Sequence, residues 1–90
     1  MFEWDERKRA ANLAKHGIDF HRVAEMWHGP MVFMPGRAMG EEERLVAVGM
    51  IGDQIVAAIH VRRGGAVRII SARRARDYEK EAFLYHARNR

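Results

Sequence analysis

The spacing of hydrophobic positions is helical in the first third of the chain. Asp5 can cap a helix that continues to about Lys15, and Gly17 is placed to end it. After a second potential cap, Asp19, apolar residues recur at i, i+3, i+4 and i+7, which is the spacing of one buried helical stripe. The residues of this stripe are Phe20, Val23, Ala24 and Trp27. The pattern therefore predicts two helices, the second closed by the Gly29-Pro30 pair.

Beyond this pair, the alternation of apolar and polar positions becomes that of strands. A short strand from Met31 to Met34 precedes a polar loop that ends in Glu41-Glu42-Glu43. Two turns, Gly52-Asp53 and Gly64-Gly65, divide the following region into three strands of an antiparallel meander. These strands are 44–51, 54–62 and 66–72. A last helix is predicted over about 75–87, with Ala75, Tyr78, Ala82 and Tyr85 on one side.

These elements predict an α+β fold in which two N-terminal helices pack on an antiparallel sheet of three to four strands, followed by a C-terminal helix. A chain of 90 residues suits one domain, 1–90, and is too short for a deep cavity between two lobes. In the middle strand, one face is expected to be core and the other to become polar toward Arg62. The longest apolar stretch, 45–51, is far shorter than the ~20 residues that cross a bilayer. We therefore expect no membrane span and, with no secretion signal visible, a cytoplasmic protein.

Positive charge is concentrated in the last third of the chain. Residues 1–61 hold seven Lys/Arg and nine Asp/Glu, a net of −2, whereas residues 62–90 hold nine and three, a net of +6. All of these nine basic residues except Lys80 are arginines, whose guanidinium groups favour bidentate contact with phosphate. The asymmetry indicates a phosphate-bearing partner, and a solvated cationic surface is the alternative.

The sequence contains residues suited to acid–base chemistry but no recognisable metal-binding or cofactor-binding motif. The chain has no cysteine, and its five histidines show no H-x-x-x-H spacing, so we expect no metal site. Glycine-rich phosphate loops and the nucleophile elbow are also absent from the sequence, so no cofactor is expected. What remains suits cleavage of RNA without a metal, which requires a base, an acid and fixed cations around the phosphate. The candidates are Lys15, His16, His60, Arg62, Arg68, Arg73, Arg74 and Glu79.

Two of these candidates are expected to share a site on the middle strand. His60 and Arg62 lie two residues apart and so face the same way, and Arg68 on the next strand is expected to join them. The alternative is that His60 is half-buried in the sheet and Arg62 merely ends the strand. We expect Ser71 to satisfy the backbone or a neighbouring arginine rather than to act as a nucleophile, since the spacing places no base beside it. Glu79 can either orient an arginine or accept a proton.

Four stretches of the sequence resemble the BrnT toxins of type II toxin–antitoxin systems. They are Phe2-Glu-Trp-Asp5 with Lys8, Asn12, Lys15-His-Gly17, Phe20 and Ala24; Glu43-Arg44 leading into a strand with Gly49; His60-Val-Arg62; and Arg68-Ile-Ile-Ser-Ala-Arg-Arg-Ala75 with Glu79. The resemblance implies a compact RelE-like fold with helices on a curved sheet. It also implies an endoribonuclease that inhibits translation and growth by cutting RNA. Lys15, His16, His60, Arg62 and Glu79 are then the catalytic candidates, and Arg68, Ser71, Arg73 and Arg74 the substrate-binding ones.

The resemblance further implies a protein partner. The antitoxin BrnA carries a ribbon-helix-helix portion, and we expect a heterotetramer that binds operator DNA through it. We expect the antitoxin to contact the basic face and the last helix, through Tyr78, Ala82, Phe83 and Tyr85. The family commonly has a tyrosine near Phe83, where this chain offers no phenol. Two other functions remain open: a nucleic-acid-binding module without catalysis that uses the same arginines, and a purely protein-binding partner.

Overall fold

The computed structural model describes residues 1–37, Gly40 and 42–89. In chain order, the elements are β1 (Phe2–Glu3), α1 (Glu6–His16), α2 (Phe20–Val23), a 3₁₀ helix (Ala24–His28), β2 (Val32–Pro35), β3 (Leu45–Ile51), β4 (Gln54–Arg63), β5 (Ala66–Arg74) and α3 (Asp77–Arg88). Ala38, Met39 and Glu41 of the predicted polar loop, and Arg90, lie outside the described residues. The predicted α+β class is confirmed, and β1 is an element that was not predicted.

The strands form one mixed sheet in the order β1-β5-β4-β3-β2. Strands β2 to β5 pair antiparallel with their chain neighbours, which confirms the predicted meander and adds the short strand to it. β1 pairs parallel with β5 through Phe2–Val67 and Glu3–Arg68. The prediction of a purely antiparallel sheet of three to four strands is therefore wrong. A strand of two residues is too short for any alternation to reveal it.

The first helix begins and ends where its capping residues predict. The Asp5 carboxylate accepts hydrogen bonds from the backbone N–H groups of Arg7 and Lys8, at 2.8 and 3.2 Å. Gly17 adopts the left-handed conformation with φ of 71°, and its N–H donates to the Leu13 carbonyl at 2.9 Å. These contacts satisfy backbone groups that a helix end leaves free, and they fix where α1 begins and ends.

The second predicted helix is split. α2 has four residues and continues directly into the 3₁₀ helix. Phe20, Val23 and Met26 are fully buried and three residues apart, the repeat of a 3₁₀ helix, while Ala24 and Trp27 are only partly buried. The predicted stripe is therefore wrong after Val23: the helix narrows to a 3₁₀ helix there, and Met26 is buried in place of Ala24 and Trp27.

Both faces of the sheet are covered, so β4 is buried on each side. Val56 and Ala58 belong to the core under α1, α2 and the 3₁₀ helix. Ala57 belongs to a second core that includes Phe83 of α3. β4 becomes polar toward its end as expected, but only from Arg62 onward, because His60 before it is fully buried.

The last helix buries a different side from the one that carries the tyrosines. Glu79 and Phe83 are its buried residues, whereas Tyr78 and Tyr85 are 58 % and 68 % exposed. Phe83 therefore cannot belong to the apolar surface expected for the antitoxin, while both tyrosines remain accessible.

Candidate functional site

A groove of about 410 Å³ opens on the side of the sheet that α3 covers in part. We call it the arginine groove. Four of its lining residues are arginines, and no carboxylate belongs to its described lining. The lining residues are Pro35, Gly36, Arg37, Arg44, Val46, Ile59, Arg73, Arg76 and Tyr78. Such a concentration of guanidinium groups suits a phosphate-bearing polymer.

Arg73 is held rigidly in this groove. It lies opposite Ala57 on the α3 side of the sheet, and its guanidinium donates two hydrogen bonds to the Glu79 carboxylate, at 2.7 and 3.0 Å. The Glu79 side chain is 1 % exposed and that of Arg73 is 19 % exposed. The backbone N–H of Arg76 also donates to Glu79, at 2.7 Å. Glu79 thus ties the start of α3 to the arginine that lines the groove.

Both members of this pair are charged at neutral pH. Burial alone would raise the pKa of Glu79, but hydrogen bonds from the Arg73 guanidinium and the Arg76 backbone outweigh burial and hold this pKa below its usual value. The same hydrogen bonds to Glu79 raise the pKa of Arg73. Of the two roles predicted for Glu79, this geometry fits the orientation of an arginine, because both carboxylate oxygens are engaged and no solvent reaches them.

His60 lies in the core and not in a solvent-facing site. Its exposure is 0 %, and its ring packs edge-on against Trp27 and Phe33, at centroid distances of 5.6 and 6.0 Å. Burial lowers the pKa of His60, and the nearby Arg62 charge adds to this, against a weaker effect of the contact with the Ala58 carbonyl. His60 is therefore neutral at pH 7, and its ring is inaccessible to solvent.

The predicted grouping of His60 with Arg62 and Arg68 is wrong. Arg68 is the register partner of Val61, so it faces the side of the sheet opposite to His60. Its guanidinium donates to the Glu3 carboxylate at 3.1 Å, which joins β5 to β1. Arg62 is exposed at the end of β4, in a pocket with acidic neighbours that include Glu42 and Glu43.

Lys15, His16 and Ser71 come together elsewhere, in a shallow depression of about 240 Å³ between α1 and β5. We call it the α1–β5 depression. Its other lining residues are Lys8, Ala11, Asn12 and Ile70. It brings together three of the predicted site residues from distant parts of the sequence.

Asn12 builds the floor of this depression. Its side-chain amide donates to the carbonyls of Ile18 and Ala72 at 2.9 and 2.8 Å, and its oxygen accepts from the Ala72 N–H at 3.1 Å. The Ser71 hydroxyl donates to the same oxygen at 3.3 Å. Asn12 is thus a structural bridge, and the partner of Ser71 is this side chain and not the backbone or arginine that was predicted.

Arg74 is separated from Arg73 although the two are adjacent in sequence. It lines a different cavity, of about 590 Å³, with Lys80 and Leu84 of α3 and the residues of the β3–β4 turn. Arg73 and Arg74 therefore line two different cavities beside α3, and the arginine-rich end of β5 does not form one site.

Sequence reasoning missed most of the arginine groove. Arg37 and Arg44 lie near the two ends of the connection between β2 and β3, where the Gly36 N–H donates to the Arg44 carbonyl at 2.8 Å. Pairing the predicted short strand with the next one would have placed these two arginines side by side. Arg76 and Tyr78 lie on either side of the first residue of α3, and they line the groove together with Arg37 and Arg44.

No cluster of three or more metal-ligating side chains occurs among the described residues. No helix in the same residues is long and apolar enough to cross a membrane.

Comparisons with known proteins agree with this architecture. The family model described as ribonuclease toxin, BrnT, of type II toxin–antitoxin system matches residues 4–79. These residues include the whole lining of the arginine groove. The fold is similar to the crystal structure of the Brucella abortus ribonuclease toxin BrnT, with a TM-score of 0.71 and 37 % identity over 86 % of this chain and 99 % of that one. No curated protein sequence matches the chain. The chain therefore belongs to the BrnT family of ribonuclease toxins of type II toxin–antitoxin systems, as the sequence resemblance predicted.

Proposed function

We propose that this toxin is an endoribonuclease that holds the RNA backbone in the arginine groove and cleaves it without a metal ion. The observation that carries the proposal is the pair of Arg73 and Glu79, which fixes one guanidinium among three others in an open groove. The family supports ribonuclease activity, and the groove supports its location.

The fixed guanidinium supplies the electrostatic part of the reaction. Charge develops on the non-bridging phosphate oxygens as the ribose 2′-oxygen attacks phosphorus. A donor that is oriented before the substrate arrives stabilises this charge without reorganising. The partly exposed Arg73, with Arg44 and Arg76 beside it, provides the positive charge that a metal ion supplies in other nucleases.

Tyr78 is our candidate for proton transfer. It is an exposed phenol on the groove, and no histidine belongs to the described lining. In the proposed step, the 2′-oxygen forms a bond to phosphorus and gives its proton to solvent. The bond to the 5′-oxygen breaks, and that oxygen takes the Tyr78 proton, which solvent later restores. The products are a 2′,3′-cyclic phosphate and a 5′-hydroxyl end.

The test is cleavage of a single-stranded RNA oligonucleotide in EDTA, with the ends identified by mass spectrometry. We expect cyclic phosphate products from the wild type, a loss of about 10²-fold in kcat for Arg73→Ala, and no loss for Arg88→Ala, an exposed arginine at the end of α3. Activity that chelation abolishes and a divalent ion restores would contradict metal independence. Binding without product would make the protein a nucleic-acid-binding module.

As the second part of the proposal, the toxin inhibits translation and is neutralised by a BrnA-type ribbon-helix-helix antitoxin in a heterotetramer. Membership of a type II system supports a protein antitoxin. We expect expression of the wild type to stop bacterial growth and lower amino-acid incorporation, and co-expression of the antitoxin to restore both. The Arg73→Ala variant should leave growth unaffected. Light scattering of the purified complex measures its stoichiometry, and a two-chain complex would contradict the heterotetramer.

A further inference from the structure

We propose that the α1–β5 depression is a second phosphate site for the same RNA, so that a single strand leaves the arginine groove and crosses the free edge of β5. This inference rests on the proposed function. It assigns Lys8, Lys15 and His16 to substrate binding at a distance from the bond that is cut.

The two sites are neighbours across one edge of the sheet. β1 pairs only with Val67 and Arg68, so the rest of β5 on that side has no strand beside it within the described residues. Ser71 of the depression is the register partner of Ile59, which lines the groove. Paired residues lie about 5 Å apart, so a chain that follows the groove past Ile59 reaches the depression next.

A β-bulge opens the depression at this place. Ile59 pairs with Ser71 and His60 with Ile69, which leaves Ile70 without a partner in the ladder. Both Ile70 and Ser71 then line the depression, where a regular strand would direct alternate residues to opposite faces. The irregularity therefore gives the edge a surface that a ligand can contact.

The cations of the depression are available to a ligand. Lys8 and Lys15 are seven residues apart, about two helical turns, and so lie on one side of α1. Both are exposed, and neither takes part in an ion pair within the described part of the chain. In contrast, Arg9 on the same helix is bound to Glu6 and Asp19. Unpaired ammonium groups on a common line suit successive contacts with a phosphate backbone.

The depression is also preformed. Asn12 is 7 % exposed and fastens α1 to the backbone of Ala72 through hydrogen bonds in both directions. The distance between the lysines of α1 and the edge of β5 is therefore set before RNA binds. A base-paired helix cannot follow a path over the edge of one strand, so the arrangement selects single-stranded RNA.

The experiment compares Lys8→Gln and Lys15→Gln with Arg7→Gln, a matched variant of an exposed cation on the same helix that does not line the depression. Affinity for a 2′-O-methyl single strand, which cannot be cleaved, is measured by fluorescence anisotropy across a salt series. Each lysine variant should bind about threefold more weakly. The slope of log K against log salt should fall by about 0.7 for each phosphate that the protein no longer neutralises. Arg7→Gln should resemble the wild type.

Cleavage kinetics give the second measurement. With a long single strand, the lysine variants should raise KM and keep the wild-type kcat. With an oligonucleotide too short to reach beyond the groove, they should match the wild type in both constants. Lysine variants indistinguishable from Arg7→Gln in slope and KM would overturn the second site, and so would equal cleavage of duplex and single-stranded RNA. A different result would contradict the proposed function: the wild-type protein would bind the strand and leave RNA intact.

Discussion

Arg73 and Glu79 are joined by two hydrogen bonds, of 2.7 and 3.0 Å, across the junction between the last strand and the last helix. The carboxylate is inaccessible and the guanidinium is partly open to the groove. The same carboxylate accepts a hydrogen bond from the backbone N–H of Arg76 at 2.7 Å, which satisfies one donor at the start of α3. One side chain therefore stabilises the helix start and orients the arginine that we place against the scissile phosphate.

Replacement of Glu79 by glutamine should reduce both stability and activity. The amide keeps an acceptor for Arg76 but leaves the Arg73 charge without its counterion. We expect a loss of about 2 to 3 kcal/mol in the free energy of unfolding, measured with urea. Glu81→Gln, an exposed change on the same helix, should cost less than about 0.5 kcal/mol, as surface substitutions usually do. Equal stability of the two variants would show that the ion pair contributes nothing.

The buried His60 should make stability depend on pH just below neutrality. Its pKa in the folded state is lower than the ordinary value of 6.5, so the unfolded chain binds a proton first as the pH falls. Stability is then full above 6.5 and decreases below it, by at most about 1.4 kcal/mol per pH unit for one group. His60→Leu should flatten the urea unfolding free energy between pH 7 and about 5.5, a window above the range where carboxylates titrate. An unchanged slope in the variant would refute this assignment.

Tyr78→Phe tests the proposed proton donor. The change removes only the hydroxyl of an exposed side chain, so the fold and RNA affinity should persist while kcat falls by about 10²-fold. Tyr85→Phe is the matched control, because Tyr85 is exposed on the same helix and does not line the groove. Single-turnover cleavage across a pH series measures the effect. Equal rates for the two variants would assign proton transfer to another group.

Asn12→Ala should destabilise the protein without altering the groove. The variant loses the hydrogen bonds of the Asn12 side chain to the carbonyl and to the N–H of Ala72, and also its bond to the Ile18 carbonyl. Leaving these buried backbone groups unsatisfied should cost about 2 to 4 kcal/mol in urea unfolding. Asn89→Ala, at the exposed end of α3, should cost far less. A small loss for Asn12→Ala would show that water replaces the amide.

Local signals in the sequence predicted the parts of the fold that depend on neighbouring residues. The caps of α1 at Asp5 and Gly17 and the turns of the meander each need only a few adjacent positions. The missed strand β1 depends on a partner 65 residues away, as the Glu3–Arg68 contact does. Nothing in the first residues alone reveals that distant pairing.

The candidate site was harder to predict because alternation gives the two faces of a strand and not what covers each face. His60 and Arg62 do alternate together, yet the 3₁₀ helix brings Trp27 over His60 and removes it from solvent. The groove instead collects Arg73 from β5 and Arg44 from the residue just before β3, and only the paired sheet defines how these two segments are arranged. Charge counting identified the arginine-rich third correctly but could not separate Arg73 from Arg74.

The position of β1 has a consequence for the order in which the molecule assembles. The Met1 carbonyl accepts a hydrogen bond from the Val67 N–H at 2.7 Å, so β1 is held in place by a strand that is synthesised much later than β1 itself. The carboxylate that orients Arg73 follows later still, at position 79. A nascent chain on the ribosome therefore carries an open sheet and an unoriented arginine until α3 has emerged, and the groove is complete only then.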